Sequence, residues 1–396
     1  MTSRSATPRV FKTLDLFSGC GGIATGFAMC DGLTRARFAC VGAIDSWQAA
    51  CEAFTDNLGV RADCCGVSRE SVASVLERVG DVDVVTGGPP CQGFSTSGKR
   101  ALDDPRNQLA KSFLEAIELA RPRAFLMENV SGFTTFQEGR LMREVVECAY
   151  ELGFKVHAGV LLASLHGVPQ RRRRFIMVGL REGEFRFPGA SDGGHGLFRD
   201  ETVLEVDQRP EDGRELWTFD DATSDLAPLR AGERREEYGG DPRNEYQRWA
   251  RSGASSPTDH VAVGHGADFV RMMSFIRPGE SAMDPLVRKR MPAALRPKSG
   301  FPNSYARIRG DQPSPTITRN FTTPSSANCI HPRADRALSI REGARCQSFP
   351  DWFRFRGSLT DRRLMIGNAV PPLLARALGV SLLEALAPSG TRAAIG

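Results

Sequence analysis

The first 180 residues alternate short apolar runs with longer amphipathic stretches. The apolar runs are continuous and bounded by turn-forming residues, which is typical of strands buried on both faces of a sheet. We predict strands at residues 10–17, 38–44, 82–86, 124–127 and 175–179, and helices at 47–57 and 371–386. This alternation of strands and helices predicts an α/β fold with a doubly wound, mostly parallel sheet.

The pattern changes after about residue 181. Residues 182–300 are rich in Gly, Arg, Asp and Glu and show weak periodicity, whereas a regular pattern returns from residue 301. We therefore predict a main domain at 1–181, a second, smaller and irregular domain at 182–300, and a C-terminal part at 301–396 that returns to the main domain.

Composition places the chain among ordinary globular proteins. It has 396 residues, of which 41% are hydrophobic and 25% charged, so extensive disorder is not expected. No run approaches the ~18 apolar residues of a membrane span, and the N-terminus has no apolar signal region. The ten cysteines form no CxxC pair. We expect reduced thiols in a cytoplasmic protein with no metal site.

Charge is unevenly distributed. The net charge is +5, which is compatible with a nucleic-acid partner without requiring one. Residues 181–250 hold 10 basic and 18 acidic side chains, and residues 251–300 hold 8 basic and 4 acidic ones. If the protein binds a polyanion, residues 181–250 are not its main phosphate-contacting surface.

A glycine-rich turn follows the first predicted strand. The sequence Asp15-Leu16-Phe17-Ser18-Gly19-Cys20-Gly21-Gly22 lets the backbone approach a ligand closely. Its Gly19-x-Gly21-x-x-Ala24 spacing also satisfies a loose dinucleotide fingerprint. Asp45, at the end of the second strand, suits ribose hydroxyls. The motif alone leaves open the ligand's identity and a ligand-free tight turn.

A cysteine lies in a loop after the strand at 82–86. The loop reads Gly87-Gly88-Pro89-Pro90-Cys91-Gln92-Gly93-Phe94-Ser95, and ligands of open α/β sheets bind at the carboxyl ends of strands. A free cysteine is usually a buried small apolar residue. Such a proline- and glycine-rich loop is not a core segment, so Cys91 is a candidate nucleophile.

These motifs, with five others in a fixed order, resemble the DNA (cytosine-5)-methyltransferase family, and the resemblance covers about residues 11–180 and 301–386. The motifs are TLDLFSGCGG (13–22), GGPPCQGFS (87–95), MENV (127–130), GVPQRRRR (167–174), PSPTIT (313–318), REGARCQSFP (341–350) and GNAVPP (367–372).

The resemblance implies transfer of a methyl group from S-adenosylmethionine to C5 of a flipped-out cytosine in a specific double-stranded DNA sequence, giving 5-methylcytosine. Cys91 would add covalently to C6, and Glu128 would hold N3 and assist as a general acid. Asn129 would shape the pocket. Arg174 would contact O2 and orient Glu128, with Arg172 in support.

The resemblance also implies a class I S-adenosylmethionine-dependent fold and a set of cofactor contacts. The expected contacts are Phe17, Ser18, Gly19, Gly21, Gly22, Ile23, Asp45, Ser46, Trp47, Asp63, Cys64, Leu109, Asn368 and Val370. Many relatives carry Glu where this chain has Asp45, so the carboxylate here is shorter.

For DNA, the resemblance implies backbone contacts from Ser95, Lys99, Arg100, Thr316 and Arg319, with a loop at 94–104 closing over the flipped base. Sequence readout is expected in the variable region 182–300, within which the basic stretch 271–298 is the favoured contact surface.

The main alternative is an RNA or tRNA cytosine-5 methyltransferase, because its pocket chemistry is shared. Its usual Cys-Phe-Thr is replaced here by Cys91-Gln92-Gly93, which favours DNA. An amino-group methyltransferase would need a Pro-Pro-aromatic motif, which is absent. An NAD enzyme would leave Cys91 and Glu128 unexplained, and a catalytically dead relative would be expected to lose one of them.

The expected partner is double-stranded DNA, with no membrane and no metal. We expect a monomer encoded by a bacterium or phage and associated with the nucleoid through DNA. The resemblance is to family members of bacterial or phage restriction-modification systems. A cognate restriction endonuclease that acts separately is therefore a candidate partner.

Overall fold

The computed structural model describes residues 8–90, 107–189, 216–325 and 328–387, together with the backbone of residues 204–205. These residues form two compact units. The first comprises the described residues within 1–162, 173–213 and 372–396, and the second comprises those within 163–172 and 214–371. The second unit is the smaller one. The predicted functional boundaries after residues 181 and 300 stay a prediction.

The strands are β1 (Arg9–Leu16), β2 (Ala36–Asp45), β3 (Ala62–Cys64), β4 (Val84–Gly87), β5 (Ala124–Val130), β6 (Lys155–Leu162), β7 (Arg173–Leu180), β8 (Leu204–Glu205), β9 (Ala306–Arg307) and β10 (Asn328–Ile330). The α-helices are α1 (Gly22–Ala28), α2 (Gln48–Leu58), α3 (Arg69–Val79), α4 (Gln108–Ala120), α5 (Arg140–Glu151), α6 (Phe219–Thr223), α7 (Glu245–Arg251), α8 (Ala267–Met273), α9 (Pro285–Arg290), α10 (Ile340–Cys346), α11 (Leu359–Asn368) and α12 (Pro372–Leu386).

The first unit is built on an eight-stranded sheet with the order β3-β2-β1-β4-β5-β7-β6-β8. All neighbouring strands are parallel except that β7 runs antiparallel to both β5 and β6. The chain moves outward from β1 in both directions, which confirms the doubly wound fold. The order reverses between β1 and β4, and ligands of such sheets bind at this point, beyond the carboxyl ends of the strands.

Burial on both faces explains the apolar runs. In β4 and β5 nearly every side chain is buried, and one apolar cluster joins these strands to α3, α4 and α5. Phe125 contacts the rings of Phe113 and Phe154 edge-on within this cluster. The predicted strands are confirmed, whereas β3, β6, β8, β9 and β10 were not predicted.

Helix α12 packs against α1 within the first unit. A Cβ atom on Gly26 of α1 would lie 2.3 Å from the Pro372 carbonyl oxygen, so glycine is required for this close approach. Among the described residues, Leu359–Leu386 is long and apolar enough to cross a membrane by length and composition alone. Residues 369–371 divide it into two helices, and 61% of its apolar window is buried, as in an ordinary core helix.

The second unit contains short helices, the two-stranded sheet of β9 and β10, and a network of buried ion pairs. Arg345 is the centre of this network. Its guanidinium binds Asp225 and Asp351 at 2.5–2.9 Å, and all three side chains are fully buried. Arg336 and Glu342 form a second buried pair at 2.7 Å. These pairs, rather than a continuous sheet, connect the elements of this unit.

His331 of the second unit makes stability depend on pH. Burial lowers its pKa to about 3, although Glu342 acts in the opposite direction. Below pH ~6.5 the unfolded chain takes up a proton that the folded chain does not. The contribution of the neutral His331 imidazole to the unfolding free energy is therefore fully present above pH ~6.5. It is lost progressively as the pH falls toward 3.

We expect His331→Asn to reduce this acid sensitivity. Its amide oxygen can replace Nδ1, which accepts hydrogen bonds from the Arg333 and Ala334 backbone N–H groups at 3.1 Å. Urea unfolding at pH 7 and pH 5 measures the effect. The parent should lose about 2 kcal/mol more unfolding free energy over this interval than the variant. Equal losses would contradict the assignment.

Candidate active site

The loop after β1 is a tight turn with left-handed backbone. Phe17, Gly19 and Gly21 have φ of 51°, 52° and 94°. A Cβ atom on Gly21 would lie 2.8 Å from Phe54, so the turn packs directly on α2. At Gly19 a Cβ atom would meet nothing within 4 Å. The loop is therefore packed on one side and has open space at Gly19.

Asp45 joins this loop to the end of β2. Its Oδ2 atom accepts a hydrogen bond from Gly19 N at 2.8 Å, and Oδ1 accepts one from Trp47 N at 2.9 Å. Ser46 is exposed, and Trp47 is partly exposed. The Asp45 carboxylate, which is the predicted ribose contact, thus holds the backbone of the glycine-rich loop at Gly19 and the backbone before α2 at Trp47.

The next strand, β3, ends beside β2, where Asp45 is the register partner of Cys64. The carboxylate of Asp63 forms ion pairs with Arg61 and Arg78, and Cys64 is exposed. This carboxylate would need to share its oxygens between the two arginines and an adenine edge. The predicted adenine contact of Asp63 stays a prediction.

The loop fits a polar ligand of the predicted cofactor type. The Ser18 hydroxyl oxygen is buried and has no hydrogen-bond partner among the described residues. This unused polar atom lies next to the open space at Gly19 in the sequence. Gly22 and Ile23 are buried at the start of α1, and Leu109 is partly buried at the start of α4.

Asp15, which the sequence analysis did not assign to the site, joins β1 to β4 at the reversal point. Its Oδ1 atom accepts a hydrogen bond from Thr86 Oγ1 at 2.7 Å, and the two residues are register partners. Burial raises the pKa of Asp15 to about 7, against the opposing effect of the Thr86 hydrogen bond. Its position at the start of the motif 15–22, four residues before Gly19, was the available signal.

The carboxyl ends of β1 and β4 lie side by side, since Leu16 pairs with Gly87. Residues 88–90 follow β4 and lead to Cys91. A Cβ atom on Gly88 would lie 3.1 Å from Glu128 Oε2, so glycine lets this loop approach the carboxylate. The Asn129 amide donates a hydrogen bond to the Pro89 carbonyl oxygen at 3.0 Å. Asn129 therefore holds the segment that leads to the candidate nucleophile, and Glu128 lies close to the same segment.

Glu128 and Arg174 form a nearly buried ion pair. Arg174 Nε lies 2.6 Å from Glu128 Oε1, and the side chains are 12% and 10% exposed. Antiparallel pairing of β5 with β7 brings these residues together. Burial lowers the pKa of Arg174, and Glu128 partly opposes this. The structure thus brings together the predicted acid and its predicted orienting cation.

Arg172 lies in the second unit, where it holds backbone in place. Its guanidinium donates hydrogen bonds to the carbonyl oxygens of Ile317, Gly367 and Ala369 at 2.8–3.2 Å. The side chain is 1% exposed. Its predicted support of Arg174 stays a prediction.

Gln170 has a comparable role that the sequence analysis missed. Its amide donates to Cys346 O and Gln347 Oε1 and accepts a bond from Ile317 N. Its position in the GVPQ motif was the available signal. Together Gln170 and Arg172 connect their own motif, GVPQRRRR, to three others, PSPTIT, REGARCQSFP and GNAVPP.

Asn368 is exposed at the end of α11, and Val370 is buried, both in the second unit. Thr316 and Arg319 are also exposed there, and the Thr316 hydroxyl donates to Arg171 O at 2.8 Å. The other predicted contacts, namely Cys91, Ser95, Lys99 and Arg100, lie outside the described residues. Within the described part of the chain, no three His, Cys, Asp or Glu side chains are arranged to hold a metal ion.

Comparison with known proteins identifies the family. A family model described as C-5 cytosine-specific DNA methylase matches residues 11–384. The type II methyltransferase M.AgeI of Thalassovita gelatinovora is 34% identical over 95% of this chain and 100% of its own length. The type II methyltransferase M1.HphI of Haemophilus parahaemolyticus is 33% identical over 94% of this chain and 86% of its own length.

Among solved structures, a DNA modification methyltransferase encoded within an Escherichia coli prophage has a similar fold. Its TM-score is 0.70 at 22% identity, covering 95% of this chain and 99% of the other. The family model and the two type II relatives match nearly the whole chain. The chain therefore belongs to the C-5 cytosine-specific DNA methylase family.

Proposed function

We propose that this chain methylates C5 of a flipped-out cytosine in a specific double-stranded DNA sequence, through a covalent bond between Cys91 Sγ and C6. The observation that carries the proposal is the Glu128–Arg174 ion pair beside Gly88, three residues before Cys91. Family membership supplies the reaction class, DNA (cytosine-5-)-methyltransferase. These residues are the ones that such a reaction needs beside a cytosine ring.

C5 of cytosine is a weak nucleophile, and the proposed chemistry addresses this. The Cys91 thiolate adds to C6, which moves electron density toward N3 and makes C5 enamine-like. A proton held by Glu128 at N3 stabilises this adduct. Arg174 orients Glu128 and donates to O2, and Asn129 holds the loop in place. Once C5 carries the new methyl group, loss of the C5 proton and departure of the Cys91 thiolate restore the aromatic ring.

S-adenosylmethionine supplies an electrophilic methyl group when bound. We infer that Ser18, Gly19 and Asp45 hold it, with Trp47 against the adenine. Support comes from the unused Ser18 hydroxyl, the open space at Gly19 and the position of Asp45. The remaining predicted contacts are Phe17, Gly21, Gly22, Ile23, Ser46, Asp63, Cys64, Leu109, Asn368 and Val370.

For DNA we propose a contact surface in the second unit that keeps residues 285–298 of the predicted stretch 271–298 and extends it to residue 303. Residues 285–303 contain five basic residues and no acidic one. Leu286 and Phe301 are 65% and 77% exposed within it, while Val287 and Met291 anchor it in an apolar cluster with α8. Basic side chains suit phosphates, and exposed apolar ones suit thymine methyl groups or unstacked bases. Backbone contacts are proposed for Ser95, Lys99, Arg100, Thr316 and Arg319.

We further propose that the protein acts as a monomer in the cytoplasm of a bacterial or phage-infected cell. One chain carries every motif that the reaction uses. Its type II relatives are compatible with a cognate restriction endonuclease that acts separately.

Incubation with labelled S-adenosylmethionine and plasmid DNA, followed by base-resolved mapping, tests the proposed function. The expected result is 5-methylcytosine in one sequence context of duplex DNA. A parallel reaction with tRNA tests the alternative substrate. Label in RNA alone, or on an exocyclic amino group, would overturn the proposal.

Replacing Glu128 by Gln should lower the methyl-transfer rate by about 10²–10³-fold, because an amide cannot supply the proton at N3. Glu151→Gln is the matched control, since Glu151 is exposed at the end of α5. Single-turnover kinetics with saturating DNA measure the effect. A Glu128→Gln rate within twofold of the control would contradict the assigned role.

A further inference from the structure

Two cysteines, Cys51 and Cys64, lie at Asp45 beside the proposed adenosine site. Cys51 lies in α2, and Cys64 ends β3. The Cys51 thiol donates a hydrogen bond to Asp45 O at 3.2 Å, and Asp45 is the register partner of Cys64. Burial, and after it the nearby Cys64 thiol, raise the pKa of the Cys51 thiol. The Cys51–Asp45 hydrogen bond and the strand register thus place both cysteines at Asp45.

The neighbouring Cys65 is arranged differently. Its backbone N–H donates to the same Asp45 carbonyl oxygen at 2.9 Å. Its thiol, however, is directed to Asp63 O at 3.9 Å. Cys65 is therefore adjacent in sequence without belonging to the thiol pair, which makes it a matched control.

The two paired thiols differ in accessibility. Cys64 is exposed, whereas Cys51 is buried. Burial and the nearby Cys64 thiol raise the pKa of Cys51 to about 12, so an oxidant in solution reacts at Cys64 first. Cys51 then serves as the resolving thiol, because it lies at the same residue, Asp45, that pairs with Cys64.

We propose that Cys51 and Cys64 form a reversible disulfide under hydroperoxide and that this bond weakens binding of the adenosine part of the cofactor. Hydrogen peroxide converts the Cys64 thiol to a sulfenic acid and releases water. The Cys51 sulfur then attacks Cys64, the S–O bond breaks, and the Cys51 proton leaves with hydroxide as a second water. Two thiols are oxidised and one peroxide is reduced.

The effect on the cofactor rests on the proposed function, in which Cys64 contacts the adenine. A disulfide would turn the Cys64 side chain toward α2 and remove the Cys51 hydrogen bond from the Asp45 carbonyl oxygen. The Asp45 carboxylate also holds the backbone of Gly19 and Trp47. The bond therefore alters the adenosine site. By linkage, the bound cofactor must also disfavour the disulfide.

The test uses the full chain with Cys91→Ser, so that peroxide cannot act through the proposed nucleophile. After peroxide treatment, mass spectrometry should find the Cys51 and Cys64 peptides joined, with the loss of two hydrogens. Equilibrium dialysis should find S-adenosylmethionine binding weakened about tenfold, and dithiothreitol should restore it. Saturating S-adenosylmethionine should slow formation of the bond.

Two further variants make the result specific. Adding Cys51→Ser should abolish both the disulfide and the loss of affinity, whereas adding Cys65→Ser should change neither. Absence of a Cys51–Cys64 bond, or a bond that leaves affinity unchanged, would overturn the inference. Failure of the reduced protein to bind S-adenosylmethionine would instead overturn the proposed function, and peptide mapping would still decide whether the disulfide forms.

Discussion

Replacing Cys91 by Ser should lower methyl transfer to DNA at least ~10⁴-fold, the largest effect on activity that we expect. A serine hydroxyl is a far weaker acid than a thiol, so little nucleophile is present at neutral pH. Without the bond to C6, C5 gains no electron density. Glu128 and Arg174 then remain in place beside a ring that they cannot activate by themselves.

Single-turnover methyl transfer measures this effect, and Cys148→Ser serves as the control. Cys148 is a partly buried thiol of α5 with no role in the proposed chemistry. Its variant should retain the parent rate within about threefold. Equal rates for the two variants would remove Cys91 from the mechanism.

Replacing Arg345 by Met should lower the unfolding free energy by about 3–5 kcal/mol, the largest effect on stability that we expect. Methionine fills much of the volume but leaves two buried carboxylates, Asp225 and Asp351, without the guanidinium that binds them. Arg345 also raises the acidity of Asp351, whose pKa lies below its ordinary value despite burial. Removing Arg345 should therefore raise the pKa of Asp351. As a result, the loss of unfolding free energy in the variant relative to the parent should be smaller at low pH than at pH 7.

The control for Arg345 is Arg309→Met. Arg309 pairs with Asp311 at 2.7 Å, but both side chains are at least half exposed, so its loss should cost less than about 1 kcal/mol. Urea unfolding of both variants at pH 7 provides the comparison. Similar losses would show that the buried network contributes no more than an exposed ion pair.

The sheet was predictable wherever its strands are apolar throughout. The run at residues 124–127 indicated β5 because the strand is buried on both faces. β6 was missed because Lys155 and His157 interrupt its apolar run, although His157 is buried. β3 has three residues and no core-like pattern. Tertiary contacts, not local preference, determine these strands.

The motifs predicted the candidate site residues, whereas the contacts that hold those residues in place had no signal in the sequence. The family resemblance implied that Arg174 would orient Glu128, and the β5–β7 register brings these two side chains together. The burial of Arg345 had no local signal, because a helix carrying several charges normally faces solvent. Likewise, a run of arginines does not reveal that Arg172 binds backbone carbonyl oxygens.

The most direct test of the central claim is trapping on duplex DNA that contains 5-fluorocytosine at the mapped target position. Fluorine replaces the C5 proton, so the adduct cannot be resolved after methyl transfer. The account predicts a denaturation-resistant protein–DNA complex that requires S-adenosylmethionine, with mass spectrometry locating the bond at Cys91 Sγ. Full methylation of ordinary DNA with no such complex, or a bond at another residue, would contradict it.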